Sequence, residues 1–168
     1  MSRTANLLGV LALVATDRMR EVTGTELTSS AALVTLQTMT DGGSIDELRR
    51  VLGLSHSGGV RVVKALVDAG LVERRTDPRD RRAVRVCLTE RGQNAAAQIR
   101  AARLEALDAL LGPLSEGERV EFTRLLERAL GATVGDRDDA RHVCRLCDPD
   151  VCGHPDSCPV TWSVDKTA

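Results

Sequence analysis

Two short helices with their start and stop signals written in, followed at once by a basic hairpin, constrain this chain more than any other feature. Ser44 and Glu47 form a capping box, in which the serine and the glutamate three residues on satisfy each other's backbone N–H groups. The box starts a helix at Ile45 that puts Leu48, Val51 and Leu52 on one face and stops at Gly53. Ser55 or Ser57 caps the next helix, which runs to Ala69 with Val62, Val63 and Leu66 inward before Gly70 ends it. Two short helices joined by a tight turn make a helix-turn-helix. Residues 71–75 and 82–88 then read as strands, the second alternating Val84, Val86 and Leu88 with Ala83, Arg85 and Cys87, and residues 76–81 form a polar tip. A hairpin placed directly after the second helix is the wing of a winged helix-turn-helix.

The flanks are helical. Residues 5–25 carry a stripe of Leu7, Leu8, Leu11 and Val14, residues 29–39 carry Ala31, Leu33, Val34 and Leu36, and Asp41-Gly42-Gly43 breaks the chain. Thr89 caps a long helix to about Leu111, with Ile99, Leu104, Leu107 and Leu111 at helical spacing, and Gly112-Pro113 ends it. Ser115 and Glu118 form a second capping box, opening a helix to about Leu130 that is expected to bury Val120, Phe122, Leu125 and Leu126. These terminal helices have more apolar surface than a small module can cover, which points to a second chain. The expected fold is mainly α with a small β-hairpin wing: dimerisation helices in 1–40, the winged helix-turn-helix in 41–88, further dimerisation helices in 89–133, and a cysteine-rich tail in 134–168.

With 168 residues and 42% hydrophobic content, the chain builds one compact domain and a short appendage. One Phe, one Trp and no Tyr leave Leu, Val and Ala to pack the core and disfavour sites built on aromatic walls. A net charge of −1 argues against a nucleic-acid partner. The average hides an asymmetry, because residues 49–87 hold ten basic side chains (Arg49, Arg50, Arg61, Lys64, Arg74, Arg75, Arg79, Arg81, Arg82, Arg85) against four acidic ones (Asp68, Glu73, Asp77, Asp80), a net +6. The apolar run 7–15 has one preceding arginine and is followed by Thr16-Asp17-Arg18, unlike a secretory signal, and no stretch is long enough to span a membrane. The expected location is the cytoplasm, where clustered cysteines serve metal or redox chemistry more often than structural disulfides.

The run Leu52-Gly53-Leu54-Ser55-His56-Ser57, then Arg61, Leu66, Gly70-Leu71-Val72-Glu73-Arg74, Asp77-Pro78-Arg79-Asp80-Arg81-Arg82-Ala83-Val84 and Leu88-Thr89-Glu90-Arg91-Gly92 resembles the MarR family of transcriptional regulators. The resemblance implies a homodimeric repressor on a palindromic double-stranded operator, with interleaved terminal helices, a recognition helix in the major groove and a wing in the adjacent minor groove. It implies that Ser55, His56, Ser57 and Arg61 face base edges, Arg61 being the candidate for a bidentate guanine contact, with Lys64 on the same helix. Arg79 and Arg81 would enter the minor groove. Arg82 would brace the hairpin through Asp77 and touch phosphate, and Ser44 with the helix it caps would meet the backbone through N–H groups. Gly58-Gly59-Val60 departs from the family pattern. The glycines are expected to loosen the first turn of the recognition helix, each by up to about 1 kcal/mol relative to alanine.

Beyond Gly131 stand four cysteines, Cys144, Cys147, Cys152 and Cys158, spaced C-x2-C-x4-C-x5-C on an expected loop rich in Gly, Pro and Asp. Packing does not explain four thiols so close together, whereas a metal site needs such short spacers. Three readings compete. The final Cys158-Pro159 and a layout similar to the cluster loop of redox-sensing MerR-type regulators favour an iron–sulfur cluster. The knuckle-like spacing, with His142 and His154 as spare ligands, suits zinc. A reversible thiol–disulfide switch is the third. A small-molecule effector, with the tail merely structural, is the rival to redox or metal sensing. No grouping of His, Asp and Ser and no phosphate loop supports an enzyme.

Overall fold

The computed structural model describes residues 2–24 and 26–165, so Thr25, which ends the first predicted helix, and the outermost residues of the 1–40 and 134–168 segments lie outside the described residues. Helix α1 (Arg3–Thr23) begins at Ser2, whose hydroxyl accepts from the Ala5 N–H, and closes at Gly24 in the left-handed region, φ +59°. Helix α2 (Leu27–Gln37) is buried continuously from Ser30 to Leu36, the signature of a helix enclosed on all sides. Its Ala31, Ala32, Leu33, Val34 and Leu36 form the centre of the main core with Leu48, Val63, Leu66, Val72, Val86, Ala96 and Ile99.

Helix α3 (Ile45–Leu52) carries the full capping box at Ser44, and α4 (His56–Asp68) is capped by Ser55 through the Gly58 N–H. Strands β1 (Val72–Thr76) and β2 (Val84–Leu88) pair antiparallel, Val72 opposite Leu88 and Thr76 opposite Val84. Gly43 adds a third rung on the far side of β2, exchanging hydrogen bonds of 3.0 and 2.7 Å with Val86. The Asp41-Gly42-Gly43 break is thus also part of the wing. Gly42 (φ +73°) has no alternative there, since a Cβ would stand 2.4 Å from the Val86 carbonyl oxygen.

Helix α5 (Glu90–Leu110) starts at Thr89 and packs against α1 and α2, and α6 (Glu116–Gly131) follows the Gly112-Pro113 turn. Here an expectation is corrected. No residue of α6 is buried within the chain: Val120 is 63% exposed, Leu125 and Leu126 are exposed, and Phe122 is only partly covered. The stripe on α6 has no partner of its own size in this chain, because the helix packs chiefly on a short C-terminal one. Helix α1 packs on α5 yet leaves Leu7, Leu8, Val10, Leu11, Leu13 and Val14 exposed.

The tail is not a loop. It forms α7 (Arg137–Val143), α8 (Pro149–Cys152) and α9 (Pro159–Asp165), the first two opened by Asp136 and Asp148 side chains that accept backbone N–H bonds. Its apolar residues have no helical period, yet Val134, Cys158, Val160 and Val164 gather into a satellite core, and Leu146 enters the main one. Short helices with one or two inward positions each leave too little periodicity to read.

Candidate nucleic-acid interface

The inward face of α4 is Gly58, Gly59, Val63 and Leu66, which leaves Ser55, His56, Ser57, Arg61 and Lys64 exposed. Gly59 abuts α3: a Cβ would lie 3.0 Å from Arg49 Cβ and 3.5 Å from Ile45 Cγ2. Gly59, expected with Gly58 to loosen the first turn, instead lets α3 and α4 cross closely, so packing offsets its helix cost, while Gly58 sits against Leu54 of the turn. Ser44 is committed to the capping box, its Oγ accepting from the Glu47 N–H at 3.1 Å while its own N–H donates to Glu47 Oε2 at 2.7 Å. The Ser44 N–H and hydroxyl hold the Glu47 carboxyl below its usual range, against the opposing pull of burial.

Lys64 pairs with Asp68 at 2.6 Å, an exposed i,i+4 contact of little net strength that a phosphate can displace. At the wing tip Arg79 approaches Asp41 at 3.9 Å and is 83% exposed. No salt bridge holds Arg61, Arg81 or Arg82 among the described residues, and all three are exposed. The hairpin brace is Arg85 rather than Arg82. Arg85 donates to Asp77 Oδ2 at 3.0 Å and to the Gly42 carbonyl at 2.8 Å, tying tip, strand and third rung together. Arg82 lies in the turn, where its backbone N–H donates to Asp80 Oδ1 at 2.9 Å. Asp77 is held below the usual carboxylate range, first by the Arg79 N–H and then by Arg85. The alternation of residues 83–88 had already put Arg85 on the face opposite Val84 and Val86, and that was the available signal for the brace.

With this geometry in place the comparisons are direct. Residues 23–83 match the MarR family. A MarR family protein from Bacillus stearothermophilus superposes with a TM-score of 0.67 at 26% identity, over 75% of this chain and 89% of that one. A probable transcriptional regulator from Pseudomonas aeruginosa gives 0.56 at 29% identity, over 76% and 99%. CouR from Rhodococcus jostii RHA1, bound to p-coumaroyl-CoA, gives 0.56 at 24% identity, over 73% and 85%. No curated protein matches the chain. The fold is thus the winged helix of MarR structures, and these relatives are regulators rather than enzymes. No helix among the described residues is long and apolar enough to cross a membrane.

The cysteine tail lies against this winged-helix head. His142 Nδ1 is 2.8 Å from the carbonyl of Val51 near the end of α3, Thr35 Oγ1 donates to the Arg145 carbonyl at 3.4 Å, and Arg100 of α5 pairs with Asp148 at 3.6 Å. All four tail thiols line one cavity of about 640 Å³ with Val34, Val51 and Arg100. The Cys152 and Cys158 sulfurs are 3.8 Å apart, and the Cys147 thiol, which donates to the Asp148 carbonyl at 3.5 Å, neighbours those of Cys144 and Cys152. Those contacts split the thiols. The interaction with Cys144 pushes Cys147 far up and lowers Cys144, while burial, helped by Cys147, pushes Cys152 up to about 12. Burial also raises Cys158, but bonds from Thr161 outweigh it and leave that thiol lowered. His154 is exposed and bonds to Thr161 Oγ1 at 2.9 Å. Cys87 is remote in role, lying on β2 with its sulfur on the Asp41 carbonyl.

Proposed function

We propose that this chain is a MarR-type transcriptional regulator, a repressor that binds a palindromic double-stranded DNA operator as a homodimer in the cytoplasm. The observation that carries the reading is a capped helix-turn-helix whose second helix exposes Ser55, His56, Ser57, Arg61 and Lys64, continued by a braced hairpin that exposes Arg79, Arg81 and Arg82. The helix reads base edges in the major groove, with Arg61 as the fork for a guanine, and the wing arginines enter the minor groove. Exposed stripes on α1 and α6 supply the dimer contact. A two-fold dimer sets its recognition helices about one turn of DNA apart, roughly 34 Å.

The test is a mobility-shift assay on an operator selected from random duplexes. Arg61→Ala should weaken the selected site by about 1–3 kcal/mol and relax one base position, as expected for a lost bidentate contact. Arg79→Ala should weaken all sequences evenly. Unchanged binding by both variants at low salt would reject the groove assignments.

A small-molecule effector is the second reading, favoured by the 640 Å³ cavity, where apolar Val34 and Met39 meet Arg100, Arg141 and Arg145. That lining suits an amphipathic anion, the class to which the p-coumaroyl-CoA held by CouR belongs. Release of DNA by such a ligand at fixed redox and metal state would favour it. Release by chelator or oxidant alone would favour sensing through the tail.

A further inference from the structure

We infer that Cys144, Cys147, Cys152 and Cys158 form a tetrathiolate zinc site that locks the C-terminal tail onto the first helix of the helix-turn-helix. The geometric basis is sulfur–sulfur contact. In a tetrahedral site with Zn–S bonds of ~2.3 Å, neighbouring sulfurs stand ~3.8 Å apart. Cys152 and Cys158 are already 3.8 Å apart, and Cys144 and Cys147 line the same cavity with them. None of the four cysteines is in a disulfide.

One pair of thiols is in contact, and among the described residues no group of three or more His, Cys, Asp and Glu side chains yet stands in a coordinating arrangement. One Zn2+ would displace four thiol protons and replace the S–H···S bond with four Zn–S bonds, leaving a centre of net charge −2. Closing such a site asks the four side chains around the shared cavity to turn their sulfurs toward one point. A [4Fe–4S] cluster, with one thiolate on each iron, would hold its thiolates well beyond sulfur–sulfur contact, whereas a [2Fe–2S] cluster pairs two thiolates on each iron at a spacing like that of zinc and is told apart from it by the metal and sulfide analysis below.

The surroundings fit a dianion. Arg100, Arg141 and Arg145 line the cavity, and Arg103 is close enough to favour a charged Cys147. Basic groups around a thiolate centre offset its charge as outer-shell partners do in known metal sites. His142 is turned to the Val51 carbonyl and is not among the residues lining the cavity, and His154 is exposed with its Nδ1 on Thr161. Position supplies the consequence. Cys144 caps the end of α7, α7 packs on α3, and Leu146, between the first two ligands, is buried in the main core. The metal would therefore hold α3 in place, and its influence on DNA affinity rests on the regulator reading above; the site itself does not.

The test uses the full chain. Elemental analysis of protein purified without oxygen should give one zinc per chain and no iron or acid-labile sulfide. Co2+ added to the metal-free protein should give intense sulfur-to-cobalt charge transfer and the visible bands of a tetrahedral thiolate site, a readout that needs no variant. Cys147→Ser and Cys158→Ser should weaken zinc binding by at least about tenfold, in line with losses for far gentler outer-shell changes, and Cys87→Ser should leave it unchanged. Iron with sulfide, a weak octahedral cobalt spectrum, or full disulfide formation without zinc uptake would each overturn the proposal. DNA affinity measured separately then reports on the regulator reading, so failure of one is not failure of the other.

Discussion

Replacing Gly92 with alanine should destabilise the protein, although the same change in an open helix is favourable. Gly92 lies in the first turn of α5, and a Cβ there would stand 1.9 Å from the Leu71 carbonyl oxygen, 2.9 Å from its carbon and 3.1 Å from Leu88 Cδ2. A carbon and an oxygen approach comfortably only to roughly 3.3 Å. The helix start and the head of β1 must therefore separate by more than about 1 Å. That carbonyl accepts the Thr89 N–H at 3.1 Å, and Thr89 in turn caps α5 through the Gly92 N–H and donates to the Gly70 carbonyl at 2.9 Å. Overpacking costs about 1–3 kcal/mol and a lost hydrogen bond about 0.5–1.5. Removing a helical glycine returns about 1. The net loss is about 0.5–3.5 kcal/mol, from the difference of those terms. Gly117 in α6 is the control, since a Cβ there meets nothing within 4 Å, and its alanine variant should gain up to about 1 kcal/mol. Urea unfolding at one fixed protein concentration measures both, because a dimer's stability depends on concentration. A Gly92→Ala protein as stable as the parent would refute the close approach of α5 to the wing.

Placing a charge in the exposed stripes, as in Leu8→Glu with Val120→Glu, should convert dimer to monomer in sedimentation velocity while leaving the helix content of each chain largely intact. Glu47 has its pKa depressed in the folded state by Ser44, so its contribution is present above the ordinary carboxylate range and is lost as pH falls through the depressed value. The stability gap between the parent and Glu47→Gln should accordingly be widest near neutral pH and shrink in acid, and a gap independent of pH would remove the capping carboxylate from the account.

What the chain announces in advance is whatever depends on local chemistry. The capping boxes at Ser44 and Ser115, the stops at Gly53 and Gly70 and the alternation of residues 84–88 each depend on neighbours within four positions, and the helices and the wing form where those signals put them. What stayed hidden depends on partners far apart in sequence. Arg85 finds Gly42 across 43 positions, and the small size of Gly59 answers Ile45 and Arg49 on another helix. The α6 stripe looked like core because periodicity shows that a face is apolar without showing what covers it. The cysteine spacing suggested a shared site, and the fold brings the thiols together, but the three short helices that do so are below the length at which a hydrophobic period can be read.

Leu146 makes the C-terminal segment something other than a detachable accessory. A protease that clipped the chain after α6 would remove a leucine from the edge of the main core and uncover the apolar side chains beneath it, together with a bare carbonyl at Val51. Losing the burial of one leucine costs about 1.5–3 kcal/mol, a large share of what holds a small domain together. A shortened version made for convenience would thus be a weakened protein rather than a simplified one, and any event that frees the segment would be felt first by α3, on which it packs.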